Sequence, residues 1–159
     1  MISIDINAQS IIKILIAVLI GGLIGLEREA SKRPAGLRTH ILVCVASAMV
    51  MDVNLAMAKI YIPSDPMRLG AQVISGMGFL GAGTIIKEGD HVKGLTTAAG
   101  LWSVACLGLV IGSGYYLMAV FASLIMILVL KTFGQLERMY ENRRLAKESH
   151  DKRSIHRRK

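Results

Sequence analysis

The sequence predicts an all-α integral membrane protein, a bundle of about five transmembrane helices. Three observations carry that reading. Apolar residues make up 53% of the 159 and charged ones only 19%. A soluble domain this small cannot bury so much apolar surface, whereas lipid removes the need. Five apolar runs succeed one another with short polar breaks, each approaching the length that crosses about 30 Å of hydrocarbon. Charge is segregated, with ten of the nineteen Lys and Arg residues in positions 131–159 and the others flanking the runs. Aromatic residues are scarce at 5%, which argues against a β-barrel with aromatic girdles.

The first run, 11–26, stops at Glu27-Arg28-Glu29. Residues 1–10 carry no basic group and no small-x-small site follows Leu26 before the charges, so a retained span is expected here, not a cleaved signal peptide. The second run, 41–58, is interrupted by Asp52 and Asn54; the third is 69–86, the fourth 95–111 and the fifth 115–130. Pro34 with Gly36, Pro63 with Pro66, Glu88-Gly89-Asp90 and Gly112-Ser113-Gly114 supply the turns between them. Residues 1–130 therefore form the bundle. Residues 131–159 form a basic, partly helical tail whose last third has too few apolar residues for a core.

Five spans gather Arg28, Lys32, Arg33, Arg38, Lys87, Lys93 and the ten cations of the tail on one side, leaving Lys13, Lys59 and Arg68 on the other. The positive-inside rule then puts the N-terminus outside and the C-terminus in the cytoplasm. The net charge of +8 is accordingly juxtamembrane charge facing anionic lipid, not a nucleic-acid surface. Cys44 and Cys106 fall at different depths and are expected to be free.

The run Gly76-Met77-Gly78-Phe79-Leu80-Gly81 has the spacing of a dinucleotide fingerprint. It lacks the preceding strand and the acid about twenty residues on, so helix packing is the expectation. The same holds for Gly21 with Gly25, Gly78 with Ala82 and Gly108 with Gly112: each pair packs the chain's own helices or forms a homodimer face. Leucine replacing Gly78 or Gly81 is expected to break a close crossing. Glu88, Asp90 and His91 share one turn and read as a solvated loop, leaving any metal site unassigned. No nucleophile pairs with a base, so neither enzymatic activity nor a cofactor is expected.

Asp52 has two readings. An acid inside an apolar span costs about 2.5–3.5 kcal/mol at the helix centre, so it faces a bundle interior or a water path. It is either a functional group or a structural hydrogen-bonder. Depth counted at 1.5 Å per residue sets it level with Ser75, near Gln72 and Arg68, which follow one another at i, i+4, i+7. The expected functional layer is Asp52, Arg68, Gln72 and Ser75.

Gly25-Leu26-Glu27-Arg28-Glu29 and Ala35-Gly36-Leu37-Arg38-Thr39-His40 resemble the opening signature of the MgtC/SapB family of bacterial membrane proteins. The stretch 68–83, with Gly76, Gly78, Gly81 and Gly83, is similar to the second signature, and Gly94-Leu95-Thr96-Thr97-Ala98-Ala99 before Trp102 to the third. Glu27, Arg28, Arg38, Thr39, Thr96 and Thr97 are the other motif positions. The tail departs from the longer, MgtC-like members, so the chain looks like a short, SapB-like member without the extra cytoplasmic domain. The resemblance implies a multi-pass protein of the bacterial plasma membrane, associated with magnesium limitation and membrane energetics. Two functions follow. One is a non-enzymatic regulator of another membrane protein, with the bilayer and that protein as partners. The other is a magnesium or proton transporter or channel that works as an oligomer around Asp52.

Overall fold

The computed structural model describes residues 8–61, 65–89, 91–132 and 134. In chain order it contains α1 (Ala8–Ala30), α2 (Leu37–Ile60), α3 (Arg68–Ala82), β1 (Ile86–Glu88), β2 (His91–Lys93), α4 (Leu95–Gly112) and α5 (Tyr116–Thr132). The chain divides into two units, Met1–Leu124 and Ile125–Lys159, so the last turns of α5 belong to the second. The expected tail beyond Gly134 lies outside the described residues.

The apolar runs become helices because Leu, Ile, Ala and Met dominate them and because lipid obliges every backbone group to bond within its own segment. α1, α2 and α4, of 23, 24 and 18 residues, are long and apolar enough to cross a membrane. At 1.5 Å per residue α1 reaches about 35 Å. Two boundaries differ from expectation. α1 continues through Glu27-Arg28-Glu29, and α2 begins at Leu37, four residues early. Hydropathy reports the apolar stretch, whereas the helix ends where its caps are. The third run is shorter than expected: α3 stops at Ala82 after 15 residues, and Ile86 opens a strand paired antiparallel with β2, Ile86 opposite Lys93.

The stop signals are specific. After Ala30, Lys32 N–H donates to Glu29 O at 2.9 Å and Arg33 N–H to Arg28 O at 3.0 Å. This closure needs a left-handed residue, and Lys32 supplies it at φ 54, alone among described non-glycine residues. Gly36 offers no side chain to cap α2, so Glu29 Oε2 reaches back to accept Leu37 N–H at 2.9 Å. At the start of α4, Gly94 has φ 91, and a Cβ there would lie 1.8 Å from Thr84 O. Only glycine fits.

α2 is the central helix, with α1 on one side and α4 on the other. On its α1 side, a Cβ at Gly21 would meet Cys44 Cβ at 2.9 Å, and one at Gly25 would meet Leu37 Cα at 2.7 Å. On its α4 side, a Cβ at Gly108 would lie 2.3 Å from Cys44 O, and one at Gly112 would lie 2.4 Å from Ala48 O. Backbones touch there because no side chain intervenes. The expected pairs Gly21/Gly25 and Gly108/Gly112 thus pack within the chain. The pair Gly78/Ala82 does not: nothing lies within 4 Å of a Cβ at Gly78 or Gly76, and Gly81 only touches Ala98 at 3.5 Å. The expected crossing at Gly78 is therefore corrected, since α3 turns that side outward. Leu15, Leu19, Leu23 and Leu26 on α1, and Leu117, Phe121, Leu124 and Leu128 on α5, are exposed. Such faces suit lipid, and the protein is membrane-embedded.

Candidate functional site

Polar groups gather at the two ends of α2. Toward its C-terminal end stands Asp52, which Lys13 Nζ reaches at Oδ1 and Ser10 Oγ at Oδ2, the latter at 2.6 Å. Its side chain is 24% exposed and that of Lys13 is 14%, so the pair is screened from lipid without being sealed. α1 and α2 run antiparallel about the 31–36 loop, which sets Ser10 and Lys13 level with Asp52. Asp52 lies about three turns beyond Ile41, whose Cα would be 3.1 Å from a Cβ at Gly21. The stripe that meets α1 therefore continues to Asp52.

The expected partners are elsewhere. Arg68, Gln72 and Ser75 are exposed on α3, while Gly70, Met77 and Gly81 form its buried side. Depth counting gave height along the bundle and said nothing about which way a helix is turned. Only Asp52 of that layer takes part in the observed cluster.

Asn54, two residues on, is 5% exposed. Its Nδ2 donates to Pro66 O, and its Oδ1 accepts Leu69 N–H at 3.4 Å. With Asp65 Oδ1, which accepts Met67 N–H at 2.8 Å, it caps the start of α3. An asparagine inside an apolar run is the signal that could have marked this role.

Toward the other end of α2 lies a buried cluster of family-motif residues. Glu27 and Arg28 are 8% and 2% exposed, joined at 2.5 Å between Oε2 and Nε, and Ser31 Oγ donates to Glu27 Oε1 at 3.0 Å. Burying an ion pair is costly unless its remaining lone pairs are satisfied. The serine provides one such bond. His40, fully buried, bonds through Nδ1 to Gly36 O at 2.9 Å, and its Nε2 has no partner. Nε2 lies 3.9 Å from where a Cβ on Gly100 would stand. His40 belongs to the motif of the resemblance and precedes the apolar run 41–58; the longer α2 buries it.

Other motif positions separate. Thr97 is 2% exposed, whereas Arg38, Thr39 and Thr96 are exposed. Thr39 and Gly83 line a cavity, while Gly76 and Gly78 face outward. In the hairpin, Lys93 Nζ bonds Glu88 Oε2 at 2.6 Å and holds that carboxyl below its ordinary range. His91 is exposed, and Asp90 lies outside the described residues. Cys44 and Cys106 are free.

The chain matches the MgtC family over residues 14–139. It is 41% identical over 135 residues to YhiD of Escherichia coli, whose name proposes a magnesium transporter, covering 82% of this chain and 63% of YhiD. It is 48% identical over 130 residues to SapB of Bacillus subtilis, covering 78% and 56%. It is 43% identical over 117 residues to MgtC of Salmonella typhimurium, covering 74% and 49%. The chain thus spans about half to just under two thirds of the length of these relatives. No solved structure matches.

Proposed function

The chain belongs to the MgtC family, and from that premise we propose a non-enzymatic protein of the bacterial plasma membrane that regulates a membrane partner in magnesium homeostasis. The observation that carries this reading is the outward face of α3. Gln72, Ser75, Gly76 and Gly78 are exposed along α3, with Phe79, 83% exposed, the large apolar side chain among them. A lipid-facing helix carries large apolar side chains, as α1 does with Leu15, Leu19 and Leu23. Small and polar residues instead suit the close approach of another helix.

The Lys13–Asp52 pair weighs against a conduit. Mg²⁺ sheds water reluctantly and needs several oxygen ligands, and Asp52 is already neutralised by a fixed cation and bonded by Ser10. In the proposed orientation the basic loops and tail face the cytoplasm, which a reporter fused after Lys159 checks.

The test has two arms. Gly78→Leu, with nothing within 4 Å of its Cβ, is expected to keep thermal stability and lose support of growth under magnesium limitation. Proteoliposomes holding the wild-type chain are expected to pass no more Mg²⁺ than empty vesicles. Protein-dependent flux that Asp52→Asn abolishes would replace the regulator with an oligomeric transporter around Asp52.

A further inference from the structure

A cavity of about 310 Å³ opens where the 31–36 loop, α2, the end of α3, β1 and α4 converge. That volume falls at the low end of the roughly 300–1,000 Å³ usual for ligand pockets. Its walls are mainly apolar, with Ala35, Val43, Leu80, Ile86 and Leu101 among them. It lies at the end of the bundle where α1 and α2 turn.

Basic residues adjoin the lining. Arg33 precedes the lining residue Pro34, and Arg38 precedes the lining residue Thr39. Lys93 stands opposite the lining residue Ile86 in the hairpin register. Acids nearby are engaged: Glu29 caps Leu37 N–H, and Glu88 bonds Lys93. Arg38 is exposed and has no side-chain partner among the described residues. The hairpin also exposes Ile86 and Val92, at 56% and 48%, as an interfacial element would.

We infer that this cavity is a binding site for an anionic phospholipid, one acyl chain between Val43, Leu80 and Leu101 and the phosphate on Arg38. An apolar cavity that opens toward a bilayer fills with hydrocarbon. Cations clustered between helices at the membrane boundary select lipids with negative headgroups. The site does not rest on the regulatory reading, and it is tested by binding alone.

Full-length protein, delipidated in detergent, is titrated separately with phosphatidylglycerol, phosphatidylcholine and inorganic phosphate. Native mass spectrometry detects retained lipid, and thermal unfolding reports stabilisation. Phosphatidylglycerol is expected to be retained and to raise the midpoint more than phosphatidylcholine, and inorganic phosphate to do neither. Arg38→Gln should weaken phosphatidylglycerol about tenfold, the loss of one charge-assisted contact. Gly83→Leu should exclude lipid by filling the cavity; its Cβ meets nothing closer than Leu80 O at 3.4 Å. Thr39→Trp repeats that test from an exposed position on another wall. Equal binding of the two lipids by wild type, stabilisation by inorganic phosphate alone, or undiminished binding in Arg38→Gln and both filling variants overturns the site.

Discussion

Gly108→Ala should destabilise the bundle while Gly78→Ala leaves it unchanged, although both add one methyl to a glycine in an apolar helix. At Gly108 the new carbon would stand 2.3 Å from Cys44 O and 2.6 Å from Ser47 Cβ. Both partners are held within α2, one as backbone and one at the first side-chain atom, so neither can swing aside. Relief requires α4 to move away from α2 by about 1 Å. A gap of that size forfeits roughly a quarter to a half of the dispersion well for each contact along the seam. Overpacking of this kind costs about 1–3 kcal/mol, which lowers the midpoint by roughly 2–4 °C per kcal/mol in a chain of this size. Thermal unfolding in detergent, followed through Trp102 fluorescence, reads it. An unchanged Gly108→Ala midpoint, or an equal fall in Gly78→Ala, would refute the assignment of the seam to Gly108 and Gly112.

Lys13→Met should destabilise by about 1–3 kcal/mol, below the roughly 3–5 kcal/mol of a fully buried pair because both groups keep some solvent; adding Asp52→Asn should recover most of it in a double-variant cycle. Asn54→Leu leaves Pro66 O and Leu69 N–H without their partner, at about 1–3 kcal/mol for a buried group, and hydrogen exchange should quicken first at the start of α3. Lys32→Gly should stabilise by about 0.5–1 kcal/mol in the same unfolding assay, because φ 54 is strained for lysine and the gain is partly offset by glycine's freer unfolded state.

The helices were legible because composition decides what lipid accepts. Asp52 was legible too, as an acid where an acid is costly. Its partners were not, because hydropathy and residue counting locate a side chain in depth alone. Azimuth is set by which helix approaches, and here Gly21 and Gly25 turn that stripe of α2 toward α1. The Glu27, Arg28 and His40 cluster was hidden for a related reason: charged residues past an apolar run look like loop. Glu29 capping Leu37 and Lys32 closing α1 keep the flanking turns helical enough to bury them. The hairpin after α3 showed only its turn, Glu88-Gly89-Asp90, since three-residue strands are too short for alternation to register.

The two glycine seams around α2 also differ in when the chain can close them. α1 and α2 are joined by six residues, so their seam forms as soon as both have left the ribosome. α4 follows only after α3 and the hairpin have been made. Until then Cys44, Ser47, Ala48 and Met51 line a strip of α2 that is smooth, open and turned toward lipid. The strip is covered only once residues 61–112 have been synthesised and Gly108 and Gly112 can meet it.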